Sequence, residues 1–353
     1  MRTSIIRIFV GAIGLFLLGA AYLLWAWNHP LRPGGEIYEA KPGTSLRTFA
    51  RGLSARKVLP ESHSFVLLAH LTGHGRDLKS GEYRFRDGMS ARELLDQIIV
   101  GRVIEYPAVL VEGWTFRQFL GTLAAAPKLG QTLAEKSPES IMECLGRPNE
   151  HPEGRFFPDT YYYSAGQTDI MILAKAYDKM QKLLQREWEG RENKLPLNNA
   201  YEALILASIV EKETGQVDER RLIAGVFINR LRHGMRLQSD PTVIYGMGKA
   251  FDGNIRLKDL RRDTPYNTYT RKGLPPTPVA MPGKDALQAV LHPMATGALF
   301  FVSRGDGTHE FSSTLEEHNR AVLKYQLKRK LRNDLSSRTP DASGRTSTMN
   351  LTP

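Results

Sequence analysis

The first pattern in the chain is an uncharged apolar run near the N-terminus. Residues Ile8 to Trp27 carry no charged side chain, and at about 1.5 Å per residue a helix of this length spans a bilayer core of roughly 30 Å. Arg2 and Arg7 precede the run, and Trp25 and Trp27 lie where interfacial aromatic residues belong. A cleaved signal peptide is the alternative, but its apolar region is normally about 7–15 residues. The pattern favours an uncleaved single-pass anchor with a cytoplasmic N-terminus and an exported remainder.

A repeated phrase after this run predicts strand, turn and capped helix. The phrase reads Gly-x-[Ser/Thr]-x-Arg-x-apolar and begins at Gly43, Gly88 and Gly113. Each copy follows an extended-looking run, and its Ser or Thr can accept a backbone N–H bond where a helix begins. With a further helical pattern at 60–71, the order over 36–86 is β-α-α-β. This order resembles a LysM module, which binds chains containing N-acetylglucosamine; the alternative is a packing domain without a sugar site.

The remaining periodicity predicts a larger domain and an α+β fold class. Helices are expected at 168–188, 199–214 and 218–233, and Gly215 and Gly234 are placed to end the last two. The expected order is a cytoplasmic N-terminus (1–7), a transmembrane anchor (8–27), a linker (28–35), a LysM-like domain (36–103), a mixed α/β domain (104–330) with a helical part, and a disordered tail (331–353).

Charge and motif content narrow the classes of site. The net charge of +11 suits nucleic acid, anionic lipid, an anionic polymer or simply a solvated surface, and export removes nucleic acid as a partner. The single cysteine, Cys144, cannot form an internal disulfide. Phosphate-loop, dinucleotide-binding, metalloprotease and G-x-S-x-G motifs are absent from the sequence. We therefore expect neither a cofactor nor a metal.

Polar phrases in apolar surroundings predict the loops of a site. Aromatic residues beside Asp, Asn, Ser and Thr suit a sugar cleft, because rings stack on pyranose faces while short polar side chains bind hydroxyls and acetamides. Each phrase alone is also compatible with simple turn chemistry. The phrases occupy 153–163, 206–215, 237–248, 264–276 and 309–319.

Glu211 is the stronger local candidate for an acid. At about 100° per residue it shares a helix face with the small residues Ala207 and Ser208, whereas Glu213 points to a more mixed face. A carboxyl group beside apolar neighbours has a raised pKa, which a general acid near neutral pH requires. The alternative is a surface ion pair near the end of the helix.

Several of these phrases resemble signature runs of the YceG-like family, in the family's order. The runs are EGRFFPDTY (153–161), LASIVEKET (206–214), VFINRL (226–231), MRLQSDPTVIYG (235–246), YNTY (266–269) and GLPP (273–276). The resemblance implies an endolytic murein transglycosylase with Glu211 as the catalytic acid/base. The implied substrate contacts are Gln238, Ser239, Asp240, Tyr266, Asn267 and Tyr269 in the cleft wall, with Glu153, Asp159 and Tyr161 as supports. The segment 215–220 departs from what the family leads us to expect.

The resemblance also implies a reaction with one carboxyl group, whereas ordinary glycosidases use two. The product would be glycan strands with 1,6-anhydro-N-acetylmuramic acid ends, and the enzyme would terminate strand polymerisation. Alternatives are a hydrolytic muramidase with Asp240 as second carboxylate, or a non-catalytic peptidoglycan-binding scaffold. Expected partners are peptidoglycan strands, the cell inner membrane and peptidoglycan synthases, with the catalytic domain on the periplasmic side.

Overall fold

The computed structural model describes residues 2–327, which form two compact units. The first unit consists of the chain up to Val109, Leu120–Lys136 and Thr160–Leu173. The second consists of Leu110–Phe119, Ser137–Asp159 and the chain from Ala174 onward. Both contain helices and strands, which confirms a mixed α and β class, while the domain boundaries at 36–103 and 104–330 stay a prediction. The predicted disordered tail, 331–353, lies outside the described residues.

The elements are short apart from two long helices. The helices are α1 (Arg2–Asn28), α2 (Leu46–Ala55), α3 (Ser62–Leu71), α4 (Ala91–Val100), α5 (Phe116–Ala125), α6 (Pro138–Cys144), α7 (Asp169–Glu189), α8 (Ala200–Glu213), α9 (Val217–Arg232), α10 (Asp240–Met247), α11 (Leu257–Arg261), α12 (Lys284–Leu291) and α13 (Leu315–Val322). The strands are β1 (Ile37–Ala40), β2 (Gly81–Arg84), β3 (Glu105–Leu110), β4 (Asp159–Ser164), β5 (Phe300–Ser303) and β6 (His309–Ser312). They form the two-stranded sheets β1–β2, β3–β4 and β5–β6.

Helix α1 is long and apolar enough to cross a membrane over Ile6–Asn28, with a mean hydropathy of 2.2. Its last turn belongs to the first unit. Ala26 and Trp27 are buried in the core of that unit, and the indole Nε1 of Trp27 donates to the carbonyl of Ser64 at 2.9 Å. Trp27 is therefore a packing residue of the folded unit, whereas Trp25 is half exposed as an interfacial residue would be.

The segment 28–35, predicted as a linker, is bound to the same unit. Leu31 is buried, and its N–H donates to the carbonyl of Met89 at 2.8 Å. The N–H of Gly88 donates in turn to the carbonyl of Leu31 at 2.9 Å. Because both backbone groups of Leu31 are bonded, α1 continues into the first unit without a loose connection.

The predicted β-α-α-β order is present in the first unit. Strands β1 and β2 pair antiparallel with Ile37 opposite Arg84, and α2 and α3 lie between them in the chain. Tyr38, Tyr83 and Phe85 place their rings in the core, and the last two stack with centroids 5.7 Å apart. The likeness to a LysM module stays a prediction.

The three repeated phrases begin helices as predicted. Ser45 caps α2 through the N–H of Thr48, and Ser90 forms a capping box with Glu93 at the start of α4. At α5, the hydroxyl of Thr115 accepts from the N–H of Gln118 at 3.4 Å. These side chains satisfy backbone N–H groups that have no partner inside a helix.

The second unit is built around α8, which is buried on every side. All residues of Ala203–Val210 are buried, and α9 and α12 pack against this helix. The N-cap Asn199 accepts from the N–H of Glu202 at 3.0 Å. The helix ends at Glu213 because Thr214 adopts an extended conformation, with φ −147° and ψ 137°.

The other predicted helices of the second domain correspond closely to α7 and α9. Gly234 follows α9 with a φ of 60°, in the left-handed region expected of a residue after a helix. Gly215 follows the C-cap Thr214, the position predicted for it, but it lacks a positive φ. The chain instead extends after Glu213 and turns at once into α9.

Candidate active site

A cavity of about 510 Å³ opens at the end of α8. One part of its wall comes from α8, α9 and the segment leading into α10, and the other comes from the β5–β6 hairpin and α13. The lining residues are Glu213, Arg230, Gln238, Asp240, Tyr269, Phe300, Phe301, Val302, Ser303, His309, Leu315, His318, Asn319 and Val322. Its volume lies in the range of about 300–1,000 Å³ typical of ligand sites, and its wall combines aromatic rings with polar side chains.

Glu213, the last residue of α8, contributes a carboxyl group to this cavity. Its pKa is raised to about 7, chiefly by burial and to a smaller extent by the negative charge of Asp240. A hydrogen bond from Ser239 Oγ to Glu213 Oε1, 2.5 Å long, and the charge of Arg230 oppose the increase. A carboxyl group with such a pKa is partly protonated near neutral pH and can both donate and accept a proton.

The loop that carries Ser239 is fixed by Thr268. The N–H of Gln238 donates to the carbonyl of Thr268, and the N–H of Ser239 donates to its hydroxyl at 3.0 Å. Gln238 has a φ of 51°, a left-handed conformation that is rare for a residue other than glycine. A strained backbone beside a buried carboxyl group is a frequent feature of functional sites. The predicted cleft residues Gln238 and Ser239 are therefore held close to Glu213.

Asp240, Tyr269 and Arg230 complete the polar wall. The phenol of Tyr269 donates to Asp240 Oδ1 at 2.5 Å, and burial with this contact raises the pKa of Tyr269. Arg230 donates through Nε to the carbonyl of Leu299 and through Nη1 to that of Leu237. These bonds hold a largely buried guanidinium group near Glu213 and over the ring of Phe300, 5.4 Å from its centroid.

Glu211 lies outside the cavity lining and has a different environment. Its side chain is only 6% exposed. Oε1 pairs with Arg220 Nη2 at 3.3 Å, and Oε2 accepts from the N–H of Gly283 at 2.9 Å. Because Arg220 lies in α9 and Gly283 precedes α12, Glu211 ties three helices together.

A second carboxyl group, that of Glu112, lies in this cluster. Burial raises the pKa of Glu112, and the negative charge of Glu211 adds to the increase. A Cβ atom on Gly283 would lie 2.0 Å from Glu112 Oε1, so a side chain at this position would collide with the carboxyl group. Glu112 and Glu211 thus form a pair of carboxyl groups at the junction of α8 with α12.

Tyr266 and Asn267 were predicted in the cleft wall but do not line the cavity. The hydroxyl of Tyr266 bonds to that of Thr277 at 2.9 Å. The amide of Asn267 donates to the carbonyls of Asp259, Leu260 and Arg262, and its oxygen accepts from the N–H of Tyr269. Asn267 thus shapes the loop that presents Tyr269.

The three predicted supports also lie away from the cavity lining. Glu153 is buried, accepts from the N–H of Phe116 at 3.0 Å, and has a pKa raised by burial to about 7. Asp159 pairs with Lys179, and Tyr161 is a buried residue of β4. Of the residues predicted from the sequence, Gln238, Ser239, Asp240 and Tyr269 are the ones gathered around a single carboxyl group.

That carboxyl group belongs to Glu213, although the helical periodicity favours Glu211 over Glu213 as the acid. Because α8 is buried all round, counting its faces does not distinguish a site residue from a packing residue. In the phrase 309–319, predicted as a site loop, His309, His318 and Asn319 line the same cavity.

Known proteins resemble this chain over most of its length. The YceG-like family matches residues 38–324. A Bacillus subtilis protein named endolytic murein transglycosylase is 30% identical over 302 residues, covering 80% of this chain and 82% of the relative. A Streptococcus pneumoniae serotype 2 protein of the same name is 30% identical over 286 residues, covering 70% of this chain and 51% of the relative. A crystal structure of a YceG-like protein from Listeria monocytogenes has a TM-score of 0.52 and 28% identity, covering 81% of this chain and 98% of that one.

Proposed function

This chain belongs to the YceG-like family, and we propose that it is an endolytic lytic transglycosylase that cleaves peptidoglycan glycan strands internally. The names of the Bacillus and Streptococcus relatives support this activity. The observation that carries the proposal is Glu213, a carboxyl group that lines a cavity and whose pKa burial raises to about 7. Such a group suits an acid that later acts as a base.

The proposal assigns the acid/base role to Glu213, whereas the sequence-based prediction assigned it to Glu211. Glu213 lines the cavity together with Gln238, Asp240 and Tyr269. Glu211 has both oxygens bonded within the helix junction. A general acid must reach the oxygen that it protonates, and this favours the carboxyl group that faces an open cavity.

In the proposed reaction, the protonated Glu213 gives its proton to the glycosidic oxygen between N-acetylmuramic acid and N-acetylglucosamine, and the C1–O bond breaks. The resulting carboxylate then takes the proton of the C6 hydroxyl on the muramic acid residue, while O6 bonds to C1. The product is a 1,6-anhydro end, and no water is consumed. Ser239 keeps the carboxyl group oriented through both steps.

The hydrolytic alternative has one supporting observation. Asp240 lines the same cavity and accepts a hydrogen bond from Tyr269, so a second carboxylate lies near Glu213. A muramidase would use it to stabilise the transition state or to activate water. The two reactions give ends that differ by the mass of one water molecule.

The experiment is digestion of purified peptidoglycan by the full chain in detergent, with mass spectrometry of the released glycans. We expect anhydro ends from the wild type and from Glu211→Gln if the latter remains folded, and none from Glu213→Gln. Reducing ends in place of anhydro ends would establish the muramidase reaction. Loss of activity in Glu211→Gln with retained folding, and activity in Glu213→Gln, would return the acid role to Glu211. A folded wild type that releases nothing would favour a scaffold.

We further propose that α1 anchors the enzyme in the cell inner membrane, with both folded units on the periplasmic side. Support comes from its apolar span and from Arg2 and Arg7 before it. In this position the enzyme would meet strands as synthases extend them and would terminate their growth, and the first unit would bind glycan as a LysM-like module. A phosphatase that is active only outside the cytoplasm, fused after Pro353, tests the orientation and should be active.

A further inference from the structure

His309 is held in a fixed orientation by Glu219. Its ring Nδ1 lies 2.7 Å from Glu219 Oε2, and its backbone N–H donates to Glu219 Oε1 at 3.0 Å. Both carboxylate oxygens are therefore bonded to the same residue. The pair is well shielded, with side-chain exposures of 11% for His309 and 18% for Glu219. Glu219 lies in α9 and His309 begins β6, so this contact also fixes the hairpin.

Two aromatic rings restrict the same imidazole. The ring of Phe301 meets it edge to face at a centroid distance of 5.5 Å, and the ring of Phe311 lies at 6.3 Å. With Nδ1 bonded to Glu219 and these rings beside it, the imidazole has little freedom to rotate. The position of its second nitrogen, Nε2, is set in advance of any ligand.

The fixed imidazole lines the cavity that contains Glu213. Within the part of the chain that the structure describes, Nε2 has no hydrogen-bonding partner and is not among the buried polar atoms without one. Because a carboxylate accepts at Nδ1, the neutral ring carries its proton there and presents a lone pair at Nε2. Such an atom accepts a hydrogen bond from a hydroxyl group.

We propose that His309 is a positioning residue that binds a sugar hydroxyl of the glycan through Nε2 and sets the register of the strand against Glu213. Glu219 acts through His309 by fixing its tautomer and orientation. The inference rests on the proposed cleavage of glycan strands and adds to it a contact from the hairpin wall. That wall also contains the apolar residues Phe300, Leu315 and Val322, and this hydrogen bond would restrict how a sugar ring lies on them.

The test measures binding separately from catalysis. Full-length Glu213→Gln protein in detergent is titrated with peptide-free glycan strands, and the affinity is compared with that of Glu213→Gln/His309→Phe. Phenylalanine keeps a ring between Phe301 and Phe311 but has no nitrogen. We expect an affinity loss of about five- to tenfold, the effect of one hydrogen bond of roughly 1–1.4 kcal/mol.

Further variants separate positioning from folding. His309→Gln, whose amide oxygen can accept a hydroxyl proton, should recover part of the affinity, and Glu219→Gln should lose affinity in the same direction as His309→Phe. In the active enzyme His309→Phe should raise KM more than it lowers kcat. The matched control is His233→Phe, at the exposed end of α9, which should bind as the parent does.

Several outcomes would overturn the proposal. Unchanged affinity in His309→Phe would show that His309 does not bind the glycan. A loss of affinity seen only with peptide-bearing strands would contradict the proposal as well, because it would assign His309 to a peptide carboxylate. If His309→Phe does not fold, wild-type affinity in both His309→Gln and Glu219→Gln would likewise contradict the proposal. A wild type that neither binds nor cleaves strands would contradict the proposed function itself, which distinguishes the two failures.

Discussion

Ser239 donates its hydroxyl proton to Glu213 across 2.5 Å. Ser239 is itself buried, and Thr268 fixes its backbone. Burial raises the pKa of Glu213 while this hydrogen bond lowers it, and the balance leaves a value of about 7. The serine therefore tunes a carboxyl group that would otherwise hold its proton to higher pH.

Replacing Ser239 by alanine should move the pH dependence of cleavage. In the proposed reaction the first step needs a protonated Glu213, so wild-type activity should fall as the pH rises through about 7. Without the hydrogen bond the pKa of Glu213 rises, and the alkaline limb should shift to higher pH. The measurement is kcat/KM against pH on soluble glycan strands. The control is Ser303→Ala, a change at another serine that lines the cavity, in which the alkaline limb should not shift. An unshifted alkaline limb in Ser239→Ala would contradict the proposed effect of Ser239 on the pKa of Glu213.

Glu153 should make the stability of the protein depend on pH. Burial raises its folded pKa to about 7 from an ordinary value of 4.5, so the folded state binds more protons and stability falls as the pH rises through this window. Glu153→Gln removes the effect at this site and should be more stable than the wild type at pH 8, by about 1–3 kcal/mol. Urea denaturation of the wild type and of Glu153→Gln at pH 5 and pH 8 measures the free energy of unfolding. An equal decrease of this free energy from pH 5 to pH 8 in the two proteins would argue against a buried proton on Glu153.

Glu211→Ala should destabilise the helix junction. It removes the buried one of the two carboxylates that pair with Arg220 and leaves the N–H of Gly283 without this acceptor, at a cost of about 2–4 kcal/mol. Asp285→Ala is a matched control because Asp285 pairs with the same arginine but is 57% exposed; its loss should stay below about 1 kcal/mol. Denaturation curves of the two variants compare the costs, and similar small losses would mean that the junction is not held by Glu211.

Trp27→Ala should loosen the joint between α1 and the first unit. The change removes a buried ring and its hydrogen bond to Ser64, so residues 28–36 should become accessible to protease. Limited proteolysis of the full chain in detergent, followed by mass spectrometry, locates the cuts. Trp25→Ala removes a half-exposed ring from the same helix and should leave the segment protected. Equal cleavage of both variants would show that Trp27 does not secure the joint.

Local signals predicted much of the fold. Ser45, Ser90 and Thr115 cap helices because such a cap depends only on residues a few positions apart. The same holds for the apolar span of α1. The burial of Leu31 depends on a long-range contact with Met89. Composition does not reveal this contact, so the Pro and Gly content of 28–35 predicts a linker.

Four residues that the sequence predicts in a cleft lie around Glu213, the acid of the proposed function, which the sequence pattern itself does not favour. Gln238, Ser239, Asp240 and Tyr269 are near one another because Thr268 holds the loop before α10, an arrangement set by tertiary hydrogen bonds. The choice between Glu211 and Glu213 depended on what lies beside each one. Arg220 and Gly283 contact Glu211 from outside α8, and the sequence periodicity within α8 does not predict these contacts.

The hydrogen-bonded segment around Leu31 limits the distance between the first unit and the membrane in which α1 is proposed to lie. A flexible linker with the length of 28–35 would let the unit move by about 15 Å relative to α1. The backbone hydrogen bonds to Met89 and Gly88 and the buried Trp27 instead hold α1 against the unit. If α1 spans the membrane as proposed, the distance of this unit from the lipid surface would be fixed. If the first unit binds glycan as proposed, this fixed clearance would limit it to strands that lie close to the membrane.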